Sequence, residues 1–388
     1  MTQHYIKRIE VNEVYHLKNI IIDLGEEKKH LILTGRNGSG KTSLLRAIRE
    51  NLRSVYNGER SLVPDNPEIF PPGHILINGV FIDFQNETEL EDCFFKGDFI
   101  VAYFPADRMT TIDKPHGVED VKLQDSYTID VDPVQNLLKY MVHLKTQEAY
   151  AKNADDEGRA ARIKKWFSEF TNALCRLLDD DTIDLEYDYR NYNFLIKQDG
   201  RNPYDFNQLS DGFSAALRIM ADLMMRMDGN WLMKDTEIVR TAEGVVLIDE
   251  IETHLHLELQ RTILPFLTEM FPNLQFIVST HSPFIVNSLE NAVIYDLERK
   301  IRAGDGLSNV TYEGVVEGYF RADTLSERLR EKFNRYKKLV KKQRLNDDEY
   351  EEIMELELYL EEIPDFLSIG IAAEYQKLKL EFRNREEH

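Results

Sequence analysis

Eight residues constrain this chain more than any others: "GRNGSGKT" at 35–42. They fit the pattern G-x-x-x-x-G-K-[ST] in its required setting. The short apolar run "HLILTG" (30–35) precedes them, and a helical pattern from Lys41 to about Leu52 follows. A glycine-rich turn between a buried strand and a helix can fold its N–H groups inward around phosphate oxygens. Lys41 would reach the β- and γ-phosphates, and the Thr42 hydroxyl would bind Mg²⁺. The candidate nucleotide residues here are Gly35, Arg36, Asn37, Gly38, Ser39, Gly40, Lys41, Thr42 and Ser43. The rival reading, a glycine-rich turn with a chance lysine, is weak against the full motif in context.

The surrounding pattern is α/β. "YIKRIEVNEVYHLKNIIIDL" alternates apolar and polar residues as half-buried strands do. Residues 57–75 read as loop. "HILINGVFIDF" (74–84) carries Asn-Gly between apolar runs, a hairpin signal, and "FIVAYFPADR" (99–108) is a strand broken at Pro105. From Pro133 to about Leu178 the pattern is helical, interrupted by "NADDEGRA" (153–160). "TIDLEYDYRNYNFLIKQDG" (182–200) reads as a β pair, and "QLSDGFSAAL" (208–217) opens a helix to about Met227. Three further buried strands are expected at "GVVLIDE" (244–250), "LQFIVST" (274–280) and "NAVIYDLE" (291–298). After residue 320 the chain reads as almost purely helical and highly charged.

Composition excludes several classes. The formal net charge is −21, from 48 Lys+Arg against 69 Asp+Glu, which disfavours a general nucleic-acid clamp while leaving room for a local basic groove. Cys93 and Cys175 form neither CxxC nor a metal spacing, as expected of a reduced, cytoplasmic protein. "MTQHYIKRIEV" has no apolar signal core, and no run of eighteen apolar residues occurs.

Three stretches complete the chemistry. "VVLIDEIE" (245–252) is an apolar strand ending in Asp249 and Glu250. Asp249 suits the magnesium shell, and Glu250 suits a base that activates water. Alone, such acids would be an even bet for plain surface charge; beside the phosphate loop that reading weakens. His281 in "STHSPF" (279–284) follows a buried strand and can reach a γ-phosphate, although a lone histidine is more often structural. Ser210 and Gly212 in "LSDGF" read either as a plain helix cap or as half of a phosphate site, since a helix start offers free N–H groups to an anion.

In this order the stretches resemble the ABC-type ATPase domain, over roughly residues 1–300. "LSDGF" departs from the transporter form LSGGQ at Asp211 and Phe213, which points to the non-transporter branch of Rad50, RecF, SMC and OLD-like ATPases. "DEIETHLHLELQ" (249–260) is similar to the run found in the OLD-like AAA_21 and AAA_15 ATPases of bacterial phage defence, such as those of the Septu and PARIS systems. The resemblance implies ATP and Mg²⁺ as cofactors, with Thr42 and Asp249 on the metal and Glu250 and His281 catalytic. It makes His254 and His256 loop residues rather than metal ligands. It implies that Ser210 and Gly212 close over ATP held by a second copy, hence a homodimer or higher even oligomer. The glutamine expected after the strand near "YFPADRMTT" (103–111) is missing, and Asp107 or Arg108 takes its place.

The expected architecture is an ABC-type P-loop ATPase with a mixed central sheet. Residues 1–132 form an N-terminal lobe, 133–235 a helical lid insertion with the signature helix, 236–300 a C-terminal lobe, and 301–388 a helical charged tail. The helical part of the insert spans about 45 residues, too short for a DNA-bridging arm. The tail carries "RLREKFNRYKKLVKKQR" (328–344), with nine Lys/Arg against one Glu, then an acidic stretch over 346–365. Its plain reading is a pair of amphipathic helices whose charges face water or each other; its sharper reading is a docking site for a partner or nucleic acid. The tail shows no HNH or Toprim pattern, so the resemblance implies a separate nuclease or toxin regulated by this chain. Two other functions fit: a RecF- or Rad50-like DNA-repair ATPase binding DNA directly, and a nucleotide-gated scaffold with little turnover.

Overall fold

The structure, a computed structural model, describes residues 3–57, 77–108, 112–229, 241–304, 306, 327–342, 345–361 and 369–386. The expected loop over 57–75 therefore lies almost wholly outside the described residues, as do 74–76 of the hairpin stretch, 109–111 after Arg108, and parts of the tail. The chain divides into two compact units, Met1–Asn309 and Val310–His388.

In the first unit the N-terminal alternation becomes two antiparallel strands, β1 (Ile6–Val14) and β2 (Leu17–Asp23). After β3 (His30–Thr34) and α1 (Lys41–Arg53) the chain turns at Asn78-Gly79, both with positive φ, into β4 (Val80–Phe84). β4 pairs with β1, which gives a three-stranded sheet in the order β2-β1-β4. A short helix, α2 (Leu90–Lys96), leads into β5 (Phe99–Phe104).

A 3₁₀ turn (Pro133–Asn136) starts the insert, a hairpin of α3 (Leu137–Asn153) and α4 (Glu157–Leu178). Asp156 caps α4 by accepting the Arg159 N–H, which explains why the polar "NADDEGRA" breaks the pattern there. Three strands follow: β6 (Asp184–Asp188), β7 (Asn193–Lys197) and the two-residue β8 (Tyr204–Asp205). The insert is thus not purely helical. Trp166 stacks on Phe170 and Phe167 stacks on Phe194, joining the hairpin to this small sheet. Trp166 Nε1 donates to Asp228 at 2.6 Å, which ties α4 to the far end of α5 (Asp211–Asp228). Helix α5 buries nearly its whole circumference, its buried Asp222 and Arg226 paired with each other at 2.5 Å.

Next come β9 (Glu243–Ile248), α6 (Leu257–Met270), β10 (Leu274–Ser279), the one-turn α7 (Pro283–Val286), β11 (Ala292–Asp296) and β12 (Ile301–Ala303). The central sheet runs β12-β11-β3-β10-β9-β5; all neighbours are parallel except the β11–β12 edge pair. It is a mixed sheet, as expected. Strands buried on both faces need apolar residues at every position, which is why β3, β9 and β10 read as continuous runs. One core joins Leu31, Leu33, Val245, Leu247 and Ile277 of this sheet to Leu44, Ile48 and Leu52 of α1 and to Ile9, Ile20 and Ile82 of the antiparallel sheet. Each such side chain contributes about 1.5–3 kcal/mol by burial, so α1 is clamped between two sheets.

The second unit holds α8 (Glu327–Val340), α9 (Asp347–Glu361) and α10 (Ile369–Glu386) around Phe333, Tyr336, Ile353, Leu356, Tyr375 and Phe382. Among the described residues no helix is long and apolar enough to cross a membrane.

Candidate nucleotide site

Parallel pairing carries the carboxyl ends of β3, β10, β9 and β5 to one edge of the sheet, where open α/β sheets bind ligands. The phosphate loop leaves β3 there. Gly35, Gly38 and Gly40 take φ values of 134°, 81° and 96°, a region costly for residues with a Cβ. A Cβ on Gly35 would lie 2.8 Å from Ser39 Oγ. Helix α1 starts without a side-chain cap and without an acid in its first turn, so its positive end faces the loop uncompensated. The Ser39 and Thr34 hydroxyls are buried without a hydrogen-bond partner. Uncapped N–H groups, orphaned hydroxyls and a fixed cation together fit a phosphate chain.

Lys41 is that cation. Its ammonium donates to the carbonyls of Gly35 at 2.9 Å and Arg36 at 3.2 Å, and lies 2.7 Å from His281 Nε2. Burial lowers its pKa, while Glu250, Glu252, Asp249 and Asp296 act in the opposite sense. His281 is likewise pushed down by burial and then by Lys41, which favours the neutral ring. Arg36 is exposed and lies 3.7 Å from Glu298. Asn37 and Gly38 are exposed, and Ser43 is half-buried on the first turn of α1.

Thr42 Oγ1 donates to Asp249 Oδ1 at 3.2 Å, and Ser279 Oγ donates to the same oxygen at 2.6 Å. Hydroxyl and carboxylate oxygens of this kind suit Mg²⁺, a hard cation that keeps several waters. Ser279 Oγ also accepts the Glu250 N–H at 2.8 Å, so one serine positions both acids. Glu250 stands in a left-handed conformation, φ 46°, at the turn off β9. Glu252 accepts the His281 N–H through Oε1, and its Oε2 is buried without a partner.

Sequence reasoning passed over Ser279, Glu252 and the role of Arg108. Ser279 and Glu252 had a readable signal, Ser279 as the polar last residue of a buried strand and Glu252 as a further acid two positions past Glu250. Arg108 did not. It is fully buried, and its guanidinium donates to the main-chain carbonyls of Asp249 (3.0 Å), Glu250 (3.2 Å) and Ile251 (2.7 Å). Burial pushes its pKa down to about 10. It therefore supports the acidic turn from beneath, and does not take the missing glutamine's place on a metal. Arg218 of α5 in turn donates to the Arg108 carbonyl at 2.7 Å and to Asp132.

Ser210 sits at the cap position of α5, exposed, with no side-chain capping bond. The plain-cap reading of its hydroxyl is thus incorrect: the first N–H groups of α5 do not receive it. Gly212 has a local reason to be glycine. A Cβ there would lie 2.5 Å from the His254 carbonyl oxygen, so the helix start rests directly on the loop after Glu250. His256 meets the Phe213 ring edge-on. No cluster of His, Cys, Asp and Glu able to hold a metal by itself occurs among the described residues, His254 and His256 included.

Residues 104–287 match the family AAA_21, described as "AAA domain, putative AbiEii toxin, Type IV TA system". The chain is 26% identical to the Septu protein PtuA of Bacillus mycoides (strain KBAB4) over 408 aligned positions, 97% of this chain and 52% of that protein. It is 36% identical over 115 residues to the Retron Ec83 probable ATPase of Escherichia coli, 29% of this chain and 21% of that one. Among solved structures, an Smc head bound to the C-winged helix domain of ScpA aligns at TM-score 0.40 and 13% identity, covering 78% of this chain and 96% of that chain. The chain spans about half the length of the Septu relative. It resembles ABC-type ATPases of the anti-phage defence kind.

Proposed function

We propose that this ABC-type chain binds and hydrolyses Mg·ATP in the cytoplasm, between two copies of itself, and thereby regulates a separate nuclease or toxin in phage defence. The observation that carries the reading is the gathering of Lys41, Thr42, Asp249 and His281 at one sheet edge, with Ser210 uncommitted within its own chain. The loop N–H groups and Lys41 bind the phosphates. Thr42 and Asp249 hold Mg²⁺, which when bound neutralises phosphate charge and polarises the terminal phosphoryl group. Glu250 takes the proton from the attacking water, and neutral His281 donates to the terminal phosphate. Ser210 and the Gly212 N–H of a second copy close the site. The effector class, HNH or Toprim, follows from the resemblance alone.

Binding and turnover measured on one preparation test this. Lys41→Ala is expected to abolish ATP binding, because the loop loses its fixed cation. Glu250→Gln is expected to retain ATP, slow turnover about 10²-fold or more, and accumulate as a dimer. Unchanged affinity in the first variant removes the phosphate assignment. Parent-like turnover in the second removes Glu250 as base and leaves the scaffold reading.

A further inference from the structure

Three cations of the basic stretch are answered by acids within the second unit. Arg335 pairs with Glu352, Lys337 with Glu374, and Lys342 with Glu349. An exposed surface of a different kind lies on α9, apolar and edged by acids. We propose that the outward face of α9 docks a basic amphipathic helix of another polypeptide. The inference rests on the partner half of the reading above and needs nothing from the nucleotide site.

Ile353, Leu356 and Leu360 turn α9 into the small core. Met354 and Leu358 face away from that core one turn apart, 73% and 63% exposed, and Tyr350, 41% exposed, stands one turn before them at the core's edge. Tyr350 leans on Phe382, with ring centroids 6.3 Å apart. A solvated helix face normally carries polar residues at these positions. Apolar side chains at i, i+4 and i+8 are instead the pattern by which helices recognise apolar partners.

Charge selects the occupant. Asp347, Asp348, Glu351 and Glu355 edge the stripe and are exposed. None of the four forms an ion pair among the described residues, whereas Glu349, Glu352 and Glu357 on the inner flank are taken by Lys342, Arg335 and Lys379. Two copies meeting through this face would set four carboxylates against four, in chains already at formal charge −21. Among the α8 residues whose side chains are described, 331–340, the exposed ones, Glu331, Asn334, Arg335 and Lys338, are all polar, so that part of a second copy's basic helix offers nothing to the stripe. A helix with apolar residues one turn apart and lysine or arginine on its flanks satisfies both features.

The test uses the full chain and two synthetic helical peptides with leucines at one-turn spacing, one flanked by lysines and one by glutamates. Met354 oxidation by dilute hydrogen peroxide is followed by mass spectrometry, with the buried Met220 and Met224 as unreactive references. Anisotropy titrations run beside it. Met354 should oxidise readily in dilute chain, and the lysine peptide alone should protect it. Met354→Glu with Leu358→Glu, on a face where glutamate suits the helix, should weaken the lysine peptide about tenfold or more. Met354 already protected in dilute chain would show that the chain's own ATPase unit covers the face, and protection growing with protein concentration would show a second copy; either overturns the proposal. So would equal binding of the two peptides, or of parent and double variant. ATP affinity measured on the same sample reports separately on the nucleotide reading.

Discussion

Replacing Arg108 probes how the acidic turn is held. Its guanidinium grips three consecutive carbonyls, and the two shortest bonds, to Ile251 and Asp249, are charge-assisted. Such bonds contribute about 1.5–3 kcal/mol each, hence about 3–6 kcal/mol gross. Against this stands the cost of a buried cation. A pKa pushed from 12.5 to about 10 corresponds to about 3 kcal/mol, most of it desolvation. Arg108→Ala removes both, so the net destabilisation should be only about 0–3 kcal/mol. Arg108→Lys keeps a buried charge but loses the planar fork, and should be no more stable than the alanine variant. Hydrogen exchange decides the local question. The Ile251 and Thr253 amides, bonded to the Ser279 and Glu250 carbonyls, should exchange faster in both variants. ATP affinity should change little, because the Lys41 loop is untouched, while turnover falls. Unchanged exchange together with a lysine variant as stable as the parent would refute the clasp.

Gly212→Ala should destabilise by about 1–3 kcal/mol in urea unfolding, because its Cβ would lie 2.5 Å from the His254 oxygen; a neutral result would mean the contact yields. His30, whose Nδ1 accepts the Phe276 N–H at 3.0 Å, is pushed down by burial to about 4. The unfolded chain takes up this proton below pH 6.5 and the folded chain refuses it, so stability is lost as pH falls from about 6.5 to about 4, by about 3 kcal/mol at the lower end. His30→Gln should shrink that acid limb, read as the difference in urea midpoints between the two pH values; equal limbs would show that His30 does not carry it. Ser210→Arg should spare ATP binding and block turnover. Mixed with Lys41→Ala chains it should form ATP-promoted hetero-dimers through one intact composite site; a Ser210→Arg protein that dimerises and turns over ATP like the parent would return Ser210 to an ordinary helix position.

The phosphate loop, the Asp249–Glu250 strand and the alternating N-terminal hairpin were legible because each is written in consecutive residues. Their periodicity is local, and so is the chemistry of their ends. What sequence could not carry was pairing across distance. Nothing around Arg108 says that its partners are carbonyls some 140 positions later. The two-residue β8 and three-residue β12 are too short to show a period and owe their form to the strands beside them. The tail's plain reading, charges facing water or each other, names the pattern without the pairs: Arg335 and Lys337 meet acids 17 and 37 positions later.

Where Gly212 lies on His254, main chain rests on main chain with no side chain between. A side-chain contact has slack, since a rotamer change absorbs a small displacement; two backbones in van der Waals contact have almost none. The turn after Glu250 and the first residues of α5 therefore behave as meshed teeth. An adjustment of residues 250–255 bears on 210–213 directly, and a single glycine is the bearing surface between the acidic turn and the start of α5.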